Sequence, residues 1–144
     1  MNILKIIGIA AGVAVAGLVG LAVTNPGNIA ETLENGADET MRSRRYRTRL
    51  ENFVGETEKI IPSLAKYGQN WRLLSTEMTG DSAVIRAEVP VLVFTDDLVI
   101  RAVAENEETI VSIRSNSRLG KSDFGENRRH VLQLLRALDE KFFK

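Results

Sequence analysis

Apolar residues recur at helical spacing in two stretches of this chain and at alternate positions in several others, behind one unbroken apolar run. Leu50, Phe53, Val54, Thr57, Ile60, Ile61, Leu64 and Ala65 follow three-and-four spacing, which predicts a helix with a single apolar stripe. Pro62 should kink or end it, because proline lacks a donor and clashes with the preceding turn, and Gly68 is a natural stop. Trp71 to Met78 then predicts a strand closed by Thr79-Gly80-Asp81. Ser82 to Val89 alternates, with Ala83, Ile85, Ala87 and Val89 on one face, until Pro90 predicts a bulge or an edge position. Val91 to Phe94 is apolar and leads to a polar corner at Thr95-Asp96-Asp97. Leu98 to Ala104 alternates again, Glu105 to Glu108 turns, and Thr109 to Ser117 predicts the last strand. Thr40 to Thr48 reads as extended, its arginines marking an edge strand. A terminal helix puts Val131, Leu134, Leu135, Leu138 and Phe142 on one face, with Asp123 as N-cap and Glu126 completing a capping box.

Short polar turns between alternating runs imply an antiparallel meander, and the two apolar helix faces need a partner that only the sheet is large enough to supply. The predicted class is α+β: strand, helix, four strands and helix, both helices covering one face. That order is also the TBP-like order, an analogy of topology alone. Three regions follow: residues 1–23, a polar, turn-rich linker at 24–39 opened by Asn25-Pro26-Gly27, and a domain at 40–144.

Residues 6–23 are 18 residues without a charge. A helix of that length covers about 27 Å, near the roughly 30 Å of a hydrocarbon core. Read as an uncleaved signal anchor it is a transmembrane helix; read as a signal peptide it has a short basic start and the small pair Gly20 and Ala22 near a cut. The Gly8-x-x-x-Gly12 spacing would let two such helices approach closely. Lys5 and the amino terminus precede the run, and residues 24–37 contain no cation, which leaves the N-terminus cytoplasmic and the domain on the far side of a single-pass membrane protein. Arg42, Arg44, Arg45, Arg47 and Arg49 complicate that orientation. Signal cleavage would give an exported soluble protein instead.

The formal net charge is zero, which argues against a general nucleic-acid binder. Cysteine is absent, so disulfides, thiolate chemistry and cysteine-held zinc are excluded. His130 is the single histidine, expected at a surface or boundary without an obvious nucleophile. Asp96 and Asp97 are adjacent, and on a strand they would point to opposite faces rather than converge as an acid/base pair. No metal site and no cofactor are expected. Trp71 is expected in the core.

One segment carries a family likeness. Phe94-Thr-Asp-Asp97 with Leu98-Val-Ile-Arg101, then Val111-x-x-Arg114-Ser115-x-Ser117-Arg118-x-Gly120-x-Ser122-Asp123-x-Gly125-x-Asn127-x-Arg129, resembles the domain of unknown function family 1499. The likeness runs from about Thr40 to Leu138. Many members look membrane-anchored or exported, in agreement with the front end; the proline-cysteine segment of some members is missing here. The resemblance implies an architecture and no activity.

Asp96, Asp97, Arg114, Arg118, Asp123 and Asn127 form a candidate polar patch at strand ends. Its plain reading is structural: Asp123 caps the helix, Asn127 satisfies loop carbonyls, and the arginines pair with the aspartates. The sharper reading is recognition, with Arg114 and Arg118 holding an anion near the helix N-terminus. The run Arg42, Arg44, Arg45, Arg47 and Arg49 is either a charged edge or a contact for anionic lipid headgroups. The expected function is that of a membrane-tethered, non-catalytic domain that binds or scaffolds at the membrane surface or within a membrane complex, with a protein partner there. A carrier of a small apolar or lipid-like ligand would be favoured by a cavity lined by Leu73, Ile85, Ile100 and Val131. A hydrolase-like enzyme would need Asp97, Arg114, Asp123 and His130 to converge in an open cleft.

Overall fold

The computed structural model describes residues 28–118 and 125–143. The expected membrane segment at 6–23 and the expected cap Asp123 lie outside these residues. Among the described residues, no helix is long and apolar enough to cross a membrane.

The elements in chain order are β1 (Ile29–Glu31), a 3-10 turn (Glu39–Met41), β2 (Arg44–Tyr46), α1 (Leu50–Ile60), a second 3-10 turn (Ile61–Ser63), β3 (Ala65–Lys66), β4 (Gln69–Asn70), β5 (Arg72–Thr79), β6 (Ser82–Val91), β7 (Phe94–Glu105), β8 (Glu108–Ser117) and α2 (Glu126–Phe142). The class is α+β, with two α-helices and an antiparallel sheet among the described residues. The sheet order is β1-β8-β7-β6-β5, and β2 also pairs with β8. β3 and β4 form a separate two-stranded hairpin. Thus β1 and β2 lie end to end along β8, one interrupted edge strand whose break is filled by the excursion from Thr32 to Ser43. The excursion is tied down: Thr32 N donates to Ile113 O at 2.9 Å, and Ile113 N donates to Thr32 Oγ1 at 3.0 Å.

β1 falls inside the stretch that composition marks as a linker. Its three residues carry too little pattern to be seen from sequence, and the strand exists because β8 offers it an open edge. A larger difference concerns the Asp96-Asp97 corner. There is no turn there: both residues lie within β7, and the chain reverses at Leu92-Val93, between the paired residues Val91 and Phe94. Polarity misplaces the turn because this hairpin tip is apolar and exposed, and because Asp96 is buried beside His130. Leu92 takes the left-handed backbone (φ 58°), as Asn106 does in the β7–β8 turn (φ 58°). For a leucine that conformation costs about 1–2 kcal/mol.

Pro62 ends α1 as predicted, standing in the first turn of the 3-10 segment where its missing N–H is harmless. The core is one cluster on the helix-covered face. Ala83, Ile85, Ala87 and Val89 of β6, Leu98, Ile100 and Ala102 of β7, and Val111 and Ile113 of β8 meet Phe53 of α1 and Val131, Leu134, Leu135 and Leu138 of α2. Each fully buried Leu, Ile or Phe contributes roughly 1.5–3 kcal/mol. Trp71 joins them with 1% exposure. Tyr46 links β2 to both helices, its ring 6.1 Å from Phe53 and 5.2 Å from Phe142, and its hydroxyl donates to Asp139 at 2.7 Å.

Candidate functional site

Strand alternation sends neighbouring polar residues to opposite faces, so the expected patch divides in two. Asp96, Ser115 and Ser117 face the helices, whereas Asp97 and Arg114 face away. On the covered side, α2 brings three of its first residues to the sheet. Asn127 is fully buried; its Oδ1 accepts from Ser115 Oγ at 2.6 Å, and its Nδ2 donates to Ser117 Oγ at 2.8 Å and Asn28 O at 3.1 Å. It therefore clips helix, strand and entering chain together. Gly125 (φ 81°) holds the N-cap position of α2.

His130 was expected near the surface and is instead completely enclosed. Asp96 Oδ2 lies 3.4 Å from its Nδ1, Glu126 Oε2 lies 3.1 Å from its Nε2, and Trp71 meets the ring edge-on at 5.9 Å. Helix spacing puts Glu126 one turn before His130, and β7 supplies Asp96 from the opposite side. Glu126 also accepts from Arg129 at 2.6 Å and Tyr67 at 3.0 Å, with Lys66 at 3.5 Å. Burial pushes its pKa up, but Arg129, Tyr67, His130 and Lys66 more than offset this and hold it at about 2. The helix N-terminus adds a field of the same sign. Because the two carboxylates address different ring nitrogens, they do not converge on a common point. Among the described residues no group of three or more His, Asp or Glu is placed to hold a metal ion.

The uncovered face has different chemistry. One row across the strands reads Arg86, Val99, Arg114 and Glu31, joined by direct register pairs. Arg101 stands in the next row, opposite Val84 and Ser112. Arg114 Nε and Glu31 Oε1 are both buried without a hydrogen bond among the described residues. Burial raises the Glu31 pKa to about 7 against the opposing pull of Arg114 and Arg101. Burial also depresses Arg101, and Arg86 and Arg114 push in the same direction. Arg114 and Arg101 therefore share the Glu31 carboxylate, and Arg86 adds like charge beside Arg101. Toward the edge of this face Arg118 grips Asp97 through Nε (3.0 and 3.1 Å) and a terminal nitrogen (2.7 Å), and it also bonds Glu88, which Arg72 meets at 3.0 Å. Arg118 and Asp97 are thus paired, Arg114 is separate from both, and neither arginine stands at the N-terminus of α2.

The arginine run is largely committed within the domain. Arg42 Nε donates to Gly36 O at 2.8 Å, Arg44 binds Asp139 at 3.0 Å, and Arg45 reaches Glu105 at 2.6 Å and Glu108 at 3.1 Å. Arg47 and Arg49 are exposed. Arg44 and Arg45 pair with Val111 and Ile110, at the end of the sheet away from Asn28.

Residues 19–138 match a family described as protein of unknown function (DUF1499). The chain belongs to this family. No curated protein matches the chain. The DUF1499 match extends ahead of Thr40, so it takes in β1 and the excursion after it. Sequence reasoning missed Glu31, Arg86 and Arg101. The alternation of β6 and β7 was the available signal, since it already placed Arg86 and Arg101 opposite the core positions.

Proposed function

We propose that the chain is a membrane-tethered, non-catalytic domain that binds or scaffolds at the membrane surface or within a membrane complex. Residues 6–23 supply the tether, with the N-terminus cytoplasmic and the domain on the far side; cleavage of the same segment would release an exported form. The observation that carries the reading is the division of charge between the two faces of the sheet. The histidine is enclosed by carboxylates on the covered face, while Asp97 and Arg114 lie on the other, so these three groups of the hydrolase alternative lie apart. The uncovered face presents Arg86, Arg101 and Arg114 around half-buried Val84 and Val99, with Glu31 opposite Arg114. Arginine beside apolar side chains suits a protein interface, here one with an acidic partner.

Packing favours a scaffold over a carrier. Ile85, Ile100 and Val131 belong to one core cluster with no exposure, and Leu73 packs against it. An open groove of about 450 Å³ lies elsewhere, between Thr40 and Arg44 and the last turns of α2.

The test is affinity isolation of the full chain from gently solubilised membranes, beside a triple variant carrying Arg86→Gln, Arg101→Gln and Arg114→Gln. The expected result is an acidic partner held by the native chain and lost from the variant, with circular dichroism unchanged. Equal recovery by both would remove this face from the reading.

A further inference from the structure

The three hairpin turns of the sheet differ by end. Gly80-Asp81 and Asn106-Glu107 close one end with polar residues that tolerate left-handed backbone. Leu92-Val93 closes the other end. There Leu92, Val93 and Phe94 are 65%, 88% and 55% exposed, a continuous apolar tip. A water-facing two-residue turn selects Asn-Gly or Asp-Gly, because the left-handed backbone suits those residues. Here Leu92 adopts that backbone (φ 58°). Such a tip is disfavoured both by its turn geometry and by its hydration.

The chain enters the domain at this same end. Asn28 O accepts from Ser117 N at 3.0 Å, and Ser117 is level with Asp96 across the sheet. From Asp96 to the turn is a further three to four residues, so the tip projects about 10 Å beyond the entry point. Ahead of Asn28, only Thr24 to Gly27 separate the domain from the apolar run that ends at Val23. Those residues span at most about 17 Å, whatever their conformation. With the sheet axis along the tether, the tip then lies between about 7 Å short of the level of Val23 and about 10 Å past it. That reaches a headgroup layer about 5–8 Å deep.

We infer that the Leu92-Val93-Phe94 tip enters the lipid interface as a second contact with the bilayer, beside the tether. The inference rests on the reading of residues 6–23 as a membrane span. It commits to lipid because the short tether holds the tip within reach of the interfacial layer. It also replaces the arginine run as the lipid-facing element, since Arg44 and Arg45 lie at the distant end and are engaged by carboxylates.

The chain has no cysteine, so Val93→Cys provides a single labelling site on the full chain. An environment-sensitive fluorophore at that position is compared with the same label at Glu107→Cys, in the opposite turn, and at Ala14→Cys, within the apolar run. All three are reconstituted in phosphatidylcholine vesicles containing nitroxide-labelled phosphatidylcholine. The expected result is several-fold stronger quenching at position 93 than at position 107, with a blue-shifted emission. Quenching at 14 but no more at 93 than at 107 would overturn the inference while leaving the tether intact. Absence of quenching at 14 would remove the tether, and the inference that rests on it falls with it.

Discussion

Glu31 faces Arg114 directly across β1 and β8, yet one of its oxygens is buried without a hydrogen bond. Burial lifts its pKa from 4.5 to about 7, so the folded chain holds this proton more tightly than the unfolded chain does. Stability contributed by the protonated form is fully present below about pH 4.5 and is lost as pH rises through about 7. Glu31→Gln keeps the shape and removes the titration. The variant should gain on the order of 1 kcal/mol at pH 8, after allowance for solvent screening and for lost attraction to the arginines, and almost nothing at pH 5. Urea unfolding at the two pH values measures the difference; an equal effect at both would show that the titration contributes nothing. Glu126 illustrates the opposite sign. Its partners hold it at about 2, so its contribution persists at neutral pH and fades only as pH falls below about 4.5.

Among the elements, the β6–β7 hairpin sets local stability against the apolar contact inferred for its tip. Replacing Leu92-Val93 by Asn-Gly should raise stability by about 1 kcal/mol, since asparagine and glycine accept the left-handed backbone that strains leucine. Thermal unfolding of the double variant checks this, and a lower midpoint would mean that the native turn is not strained. The same hairpin marks the limit of pattern reading. Both helices were legible because their apolar period is regular over three or more turns. The strands at Ser82 and Leu98 were legible because they alternate. Asp96 hid the true length of β7: an aspartate beside a core looks like a turn until His130, 34 residues away in sequence, is seen against it. The polar segment from Arg114 to Arg118 looked like one cluster because sequence does not display the sheet's two sides. Its alternation, with Ser115 and Ser117 inward and Arg114 and Arg118 outward, is what divides it.

For the molecule as a whole, the domain begins before the point that composition marks. A chain starting at Thr40 lacks β1, the Thr32 bonds to Ile113 and the Asn28 carbonyl that Asn127 binds. Compared with a chain starting at Asn28, it should lose on the order of 3 kcal/mol, from several net hydrogen bonds of about 1 kcal/mol each. Equal denaturation midpoints would show β1 to be dispensable. Its removal would also bare half of the β8 edge, an invitation to intermolecular pairing that light scattering would reveal.

The antiparallel seam between β1 and β8 has a mechanical corollary. Tension on the residues ahead of Asn28, directed along the strand, loads the rungs of that seam together in shear instead of peeling them one after another. A domain dragged by its leading end would therefore resist extraction and yield in a single abrupt step.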